Sequence, residues 1–261
     1  MGISRKFTRL LLVASLLAGL FQFGLGPVPP ARAAGTINLY GLGAYTQDFD
    51  TLAASGNSSA MPDGWEFFES GSNADAQYTA GTGSSTTGDT YSFGATNAQE
   101  RAFGGLLSGS LKPTIGASFT NATGAPIGSL AISYTGEQWR LGAVTRTDRM
   151  DFQYSLDATS LNTGTWVDVD ALDFTSPSTA GTSGSRNGND PAYRASVNGT
   201  ISGLNLANGA TFWIRWQDMD ASGGDDGLAV DDFSLTTAAT VPPPQLSVYD
   251  VTLNEGGAGT T

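Results

Sequence analysis

The sequence predicts an all-β protein, a jelly-roll-like antiparallel β-sandwich, and two observations support this fold class. Short runs of β-branched and aromatic residues recur along the chain, separated by clusters of Gly, Ser, Thr, Asn and Asp. After the N-terminal segment, no window of roughly eleven or more residues has a convincing helical period. Many short strands joined by glycine-rich turns are typical of β-sandwiches.

Alternation of polarity assigns faces to the predicted strands. In RMDFQYSL, Phe152 and Tyr154 share one face, whereas Asp151 and Gln153 share the other. The other predicted strands are WEFFES, QYTA, TYSFG, PTIGASFTN, SLAISYTG, TWVDV, YRASVNGTI, TFWIRW and LAVDDFSL.

The N-terminal segment has the features of a secretory signal peptide over residues 1–33. Basic Arg5 and Lys6 precede an apolar run over residues 10–25, and Ala31-Arg32-Ala33 supplies small residues for cleavage near Ala33. The apolar run is too short and too rich in glycine for a transmembrane helix. We therefore expect a secreted or cell-surface protein with no transmembrane helix in the mature chain.

Charge and composition exclude several classes of function. Residues 1–33 hold four of the twelve basic residues and none of the twenty-four acidic ones, which leaves eight against twenty-four and a net charge of −16. A phosphate backbone would be repelled, so we expect no nucleic-acid binding. Histidine and cysteine are absent, which excludes Ser-His-Asp triads, thiolate metal sites and disulfides. No catalytic residue is assigned.

The mature chain divides into a β-sandwich module and a short C-terminal segment. Residues 34–240 form the predicted module. Residues 241–245, which contain three consecutive prolines, are predicted to be a stiff linker. Residues 246–261 begin a new strand and then stop, as in a truncated second β-sandwich.

Several segments together resemble a recurrent N-terminal module of secreted bacterial multidomain proteins. They are QDFDTL, PDGW, YSFG, ERAFG, ASFTNATG, SLAISYTGEQWR, FQYSLDAT, TFWIRWQDMD and DDGLAVDDFSL. The resemblance covers about residues 45–236, and the C-terminal SVYDVTLNEGGAGTT is similar to the first strand and turn of a Calx-beta domain. The resemblance implies a surface or secreted setting and a calcium dependence, and it implies no known reaction.

Six aspartates fall within fifteen residues of the segment WQDMDASGGDDGLAVDDF. Asp218, Asp220, Ser222 and the following glycine match the first half of an EF-hand loop, but Ala229 occupies the place of the bidentate glutamate. The hypothesis is a Ca²⁺ site, and the alternative is a solvated hairpin loop. The candidate ligands are Asp218, Asp220, Ser222, Asp225, Asp226 and Asp232.

The same segment predicts a β-bulge. Strict alternation cannot place Val230 and Phe233 on one face of a strand, so an extra residue is expected near Asp231 and Asp232.

Two further motifs suggest a binding or a catalytic surface. Trp213 and Arg215 share the face opposite to Phe212 and could form an amphipathic platform that stacks a sugar ring. In YTGEQWR, Glu137 could be an acid or base, but an ion pair that orients strands around a buried tryptophan is the favoured interpretation.

Together these features predict a non-catalytic, Ca²⁺-stabilised extracellular module that binds a glycan, matrix or cell-surface ligand. The alternative is the accessory N-terminal region of a secreted nuclease or phosphatase-type hydrolase whose catalytic domain lies elsewhere.

Overall fold

The computed structural model describes residues 31–32, 35–41 and 43–240. Most of the predicted signal peptide and all of residues 241–261, the predicted linker and Calx-beta-like segment, lie outside the described residues. Within the described part of the chain, no helix is long and apolar enough to cross a bilayer.

Seventeen strands and one short 3₁₀ helix, Asp170–Leu172, make up the regular structure of the described residues. The first nine strands are β1 Ala31–Arg32, β2 Ile37–Leu39, β3 Tyr45–Gln47, β4 Asn57–Ser58, β5 Trp65–Ser70, β6 Tyr78–Gly81, β7 Asp89–Phe93, β8 Ala102–Leu106 and β9 Lys112–Asn121. The others are β10 Ile127–Leu141, β11 Arg149–Ser155, β12 Val167–Asp168, β13 Phe174–Thr175, β14 Gly184–Ser185, β15 Arg194–Leu206, β16 Thr211–Asp218 and β17 Gly227–Ala239.

The strands form two sheets, which confirms the predicted β-sandwich. The first sheet has the order β1-β5-β9-β16-β11-β12, with β2 also beside β9 and β13 also beside β11. The second has the order β14-β10-β17-β8-β7-β6-β4, with β15 also beside β10 and β3 also beside β17. All pairs are antiparallel except β2 with β9 and β6 with β7.

An aromatic group fills the core between the sheets. The rings of Trp65 and Trp216 stack with their centroids 6.0 Å apart. Phe233 meets both rings edge-on, at 5.4 Å and 5.8 Å. The predicted face of β16 is confirmed, because Phe212, Ile214 and Trp216 all belong to this core. Edge-to-face packing of this kind stabilises a core beyond the area that it buries.

The predicted bulge is present in β17. Ser133 of β10 pairs with Ser234, but Thr135 pairs with Asp231, so one residue of β10 faces two residues of β17. The extra residue, Asp232, has a left-handed φ of 48°. The bulge returns Phe233 to the core face after Asp231 has pointed away from it.

Truncation of an aromatic side chain in the core should lower the stability of the fold. We expect Phe233→Ala to lower the free energy of unfolding by about 3–5 kcal/mol, because it leaves a cavity beside both tryptophans. Met219→Ala, at an exposed position, is the matched control and should change it by less than about 0.5 kcal/mol. Urea unfolding of both variants measures the difference, and equal effects would contradict this assignment of the core.

A pair of carboxyls, Glu69 on β5 and Asp89 on β7, should make stability depend on pH. Burial, with Glu69 nearby, raises the pKa of Asp89 to about 7. Glu69 is held by donors from Thr90 and Asp75, including the Thr90 hydroxyl at 2.7 Å. Because a raised folded pKa stabilises only the protonated form, this contribution is present below pH ~4 and is lost as the pH rises through ~7.

Asp89→Asn imitates the protonated carboxyl and should remove this dependence. We expect the variant to gain stability relative to the parent as the pH rises from ~4 to ~8. Thermal melts of both proteins across that range measure the gain. A constant difference between them would contradict the assignment.

Candidate functional site

The predicted calcium ligands separate into three places. Asp218, Asp225 and Asp226 come together where β16 ends and β17 begins, and all three are buried. The structure adds a fourth carboxylate, Asp148, whose Oδ2 accepts a hydrogen bond from the Asp226 backbone amide at 2.7 Å. We call residues 218–226 the aspartate loop.

Burial dominates the electrostatics of the aspartate loop. Burial, and then Asp148 and Asp225, raise the pKa of Asp218 well above its usual range. One oxygen of Asp218 accepts from the Leu107 amide at 3.2 Å, while Oδ1 is buried without a hydrogen-bond partner. Burial also raises the pKa of Asp225 to about 6 and that of Asp226. Burial therefore favours the neutral, protonated acids, and the charged forms need a positive charge nearby.

Arg146 supplies positive charge to this group. Its Nη1 lies 3.0 Å from Asp148 Oδ2, and its Nη2 lies 3.9 Å from Asp226 Oδ1. Asp226 also accepts hydrogen bonds from the Gly142 amide and the Gln138 side chain, both at 2.7 Å. An arginine thus meets part of the electrostatic demand that the sequence analysis assigned to Ca²⁺, and a calcium ion here stays a prediction.

The remaining predicted ligands do not join this group. Asp220 and Ser222 are exposed on the loop. Asp232 lies six residues of nearly extended chain after Asp226, a separation of about 20 Å. The structure therefore does not bring Asp232 together with the aspartate loop, and its role as a calcium ligand stays a prediction.

Trp213 and Arg215 do share the outer face of their sheet, but the segment that follows β11 covers them. Trp213 is only 4% exposed and packs with Ala158 and Leu161. Arg215 lies over the ring of Trp166, 4.0 Å from its centroid, and burial lowers its pKa to about 10. Trp213 therefore presents no open ring face, and its role as a ligand contact stays an untested prediction.

A second acidic group, which sequence reasoning missed, lies on the outer face of the other sheet. One ligand oxygen from each of Glu100, Glu137 and Asp231 lies within 4.8 Å of the others. We call these three residues the outer carboxyl cluster. In the described residues, it is the one group of three acidic or other metal-ligating side chains with this spacing.

Strand register explains how two of these carboxyls meet. Glu137 on β10 pairs with Ala229 on β17, so Asp231, two residues further along β17, is its diagonal neighbour on the same face. Glu100 joins from the chain before β8. The adjacent Arg101 is buried, donating from its side chain to Ser92 at 2.8 Å.

A buried indole and a loop close over the outer carboxyl cluster. Trp139 Nε1 donates to Glu137 Oε2 at 2.8 Å, and the Asn189 side chain donates to Glu100 Oε2. A Cβ at Gly188 would lie 2.3 Å from Trp139 Nε1, so only glycine lets this loop approach so closely. Burial raises the pKa of Glu137 to about 7 and that of Asp231 to about 9.

The ion pair expected from YTGEQWR does not form between Glu137 and Arg140. Glu137 accepts from Trp139, while Arg140 Nη1 donates to the carbonyls of Gly83 and Ser84, at 3.1 Å and 3.3 Å. Because Glu137 is 0% exposed, it offers no acid or base to a substrate in solution.

A groove lies beside β2, β3 and the middle of β17. It has a volume of about 820 Å³, and a second groove of about 270 Å³ adjoins it. Tyr40 and Tyr45 line both, and Tyr40 is 61% exposed. The first is also lined by Asn38, Gln47, Asp48, Asp63 and Asp232. We call the two together the tyrosine groove.

Comparison with known proteins gives fold similarity only. No protein-family model matches the chain, and no curated protein matches it. The K3 cleaved adhesin domain of Lys-gingipain from Porphyromonas gingivalis W83 is similar at 10% identity and a TM-score of 0.39, over 74% of this chain and 98% of that chain. TmCBM61, solved in complex with β-1,4-galactotriose, is similar at 12% identity and a TM-score of 0.33, over 66% and 88%. The enzymatically active domain of the bacteriophage CBA120 tailspike protein 4 is similar at 10% identity and a TM-score of 0.37, over 67% and 19%.

Neutralising one buried carboxyl should stabilise the aspartate loop when no cation is added. In EDTA, we expect Asp218→Asn to raise the free energy of unfolding by about 1–2 kcal/mol, because an amide can donate to the neighbouring carboxylates. The exposed Asp220→Asn is the control and should have almost no effect.

Denaturant melts in EDTA measure this difference, and a loss of stability in Asp218→Asn would contradict it. Millimolar Ca²⁺ added to the same samples tests the calcium prediction for the loop: an ion bound there should stabilise the parent more than it stabilises Asp218→Asn, because a ligand that binds only the native state stabilises it.

Proposed function

We propose that this chain is a non-catalytic, extracellular binding module and that its ligand is a neutral glycan held in the tyrosine groove. The observation that carries the proposal is Tyr40, a large aromatic side chain exposed between two adjoining grooves. An exposed aromatic ring can stack on the apolar face of a sugar, and the surrounding polar groups can bind its hydroxyls.

The polar lining of the tyrosine groove suits hydroxyl groups. Asn38 offers both donors and acceptors, while Asp48 and Asp63 are exposed and accept hydrogen bonds. Because two grooves meet at Tyr40, a ligand longer than one sugar ring could extend to either side of it. An oligosaccharide fits this shape better than a compact ligand does.

Charge favours a neutral ligand over an acidic one. Three carboxylates, Asp48, Asp63 and Asp232, line the larger groove. They would repel uronic acids and sulfated sugars, as would the net negative charge of the chain. Neutral sugars escape this repulsion.

The buried positions of the acidic groups support a non-catalytic function. Glu137 and Asp231 of the outer carboxyl cluster and the buried members of the aspartate loop are covered by protein atoms, and histidine and cysteine are absent from the chain. The rival proposal, an accessory region of a secreted hydrolase, is compatible with the same glycan groove. It differs in the domains of the parent protein.

Tyr40 variants test the groove. We expect Tyr40→Ala to weaken glycan binding about tenfold or more, whereas Tyr40→Phe should bind within about threefold of the parent, because it retains the ring. A glycan array first identifies the ligand, and calorimetry with that ligand then compares the variants.

Leu156→Ala, at an exposed residue just after β11 and outside the lining of the groove, is the surface control. Parent-like affinity in Tyr40→Ala would contradict the groove, and a preference for acidic over neutral glycans would contradict the charge argument.

A further inference from the structure

Each carboxyl of the outer carboxyl cluster keeps one buried oxygen that no donor reaches. These oxygens are Glu100 Oε1, Glu137 Oε1 and Asp231 Oδ1. The second oxygens of Glu100 and Glu137 are held by Asn189 and Trp139. The hydrogen bonds therefore orient two carboxyls while leaving an oxygen of each available.

Burial makes these free oxygens unusual. Glu137 is 0% exposed and Asp231 is 6% exposed. Buried polar atoms in proteins almost always have a partner, and an unpartnered buried carboxylate is costly. The three carboxyls that carry these oxygens also converge, with one oxygen of each within 4.8 Å of the others. Together the two observations indicate a missing partner that accepts electron pairs from all three groups.

The surrounding charges do not supply that partner. Arg194, opposite Glu137 in the register of β10 and β15, attracts the Glu137 carboxylate. Asp232, beside Asp231, repels it. Glu100 likewise attracts the neighbouring Arg101, so two arginines face four carboxyls.

We propose that the outer carboxyl cluster binds a divalent cation, with Glu100, Glu137 and Asp231 as its protein ligands. All three donors are oxygens, which favours a hard cation and disfavours zinc or copper. Donors within 4.8 Å of one another can share one ion at Ca–O distances of about 2.4 Å, and Ca²⁺ tolerates irregular coordination, whereas Mg²⁺ needs near-ideal octahedral geometry. Ca²⁺ is therefore the expected ion.

The ion would join three segments of the chain. β10 and β17 are already neighbours, but Glu100 belongs to the chain before β8 and is held there by Asn189. A cation shared by the three would fasten this segment to the centre of the second sheet. The site is separate from the aspartate loop and from the tyrosine groove. The cation proposal is therefore tested independently of the glycan proposal.

Trp139 provides a direct probe of the site. Tb³⁺ occupies Ca²⁺ sites, and its emission is sensitised by a nearby excited indole. Because Trp139 donates to a proposed ligand at 2.8 Å, we expect Tb³⁺ bound to the EDTA-treated full chain to emit on tryptophan excitation. Ca²⁺ should displace it, and Mg²⁺ should do so much less effectively.

Asp231 and its neighbour Asp232 give a matched pair of variants, one in the proposed site and one outside it. Asp231→Asn and Glu137→Gln should each weaken Tb³⁺ and Ca²⁺ binding at this site about tenfold or more, and each should show a smaller rise in melting temperature with Ca²⁺ than the parent does. Asp232→Asn removes the same charge one residue away, at an exposed position, and should bind within about threefold of the parent. Asp218→Asn, in the aspartate loop, should also keep this signal.

Three results would overturn the proposal. The first is an absence of sensitised emission and of any Ca²⁺-dependent stabilisation in the parent, which would mean that shared protons neutralise the cluster. The second is parent-like binding in Asp231→Asn and Glu137→Gln. The third is undiminished emission in Trp139→Phe, which would place the ion beside another tryptophan.

Discussion

The β-bulge at Asp232 is the constraint on which the rest of the structure depends. A regular strand would send Phe233 to the same side as Asp231, away from the core. The extra residue returns Phe233 to the two core tryptophans, while Asp231 faces the outer carboxyl cluster and Asp232 lines the tyrosine groove. One local irregularity thus places three consecutive side chains in three different environments.

Local patterns predicted the strands and the bulge well, since both follow from side-chain alternation. Phe212, Ile214 and Trp216 share the core face that period-two alternation assigned to them. β8 was missed as a strand because its sequence, AFGGL, contains two glycines in place of β-formers. The glycines of β8 are explained by its packing against the neighbouring strand. A Cβ on Gly104 would lie 2.0 Å from the Leu228 carbonyl oxygen, so only glycine lets β8 lie so close to β17.

The sites were predicted less well, because proximity in sequence is a poor guide to what surrounds a charge. The aspartate loop was found from its spacing, but its charged neighbours Asp148 and Arg146 lie about seventy to eighty residues earlier. Glu100 meets Asp231 only through the fold. Alternation likewise placed Trp213 on the outer face, but it could not show that another segment covers that face.

Anomalous diffraction from crystals of the chain grown with Tb³⁺ is the most direct test of the role of the bulge. If the bulge places Asp231 at the cation site, Asp231 and not Asp232 should coordinate the ion. An anomalous peak within bonding distance of Glu100, Glu137 and Asp231 is the expected result. A peak at Asp232 or only at the aspartate loop, or no peak at all, would contradict it.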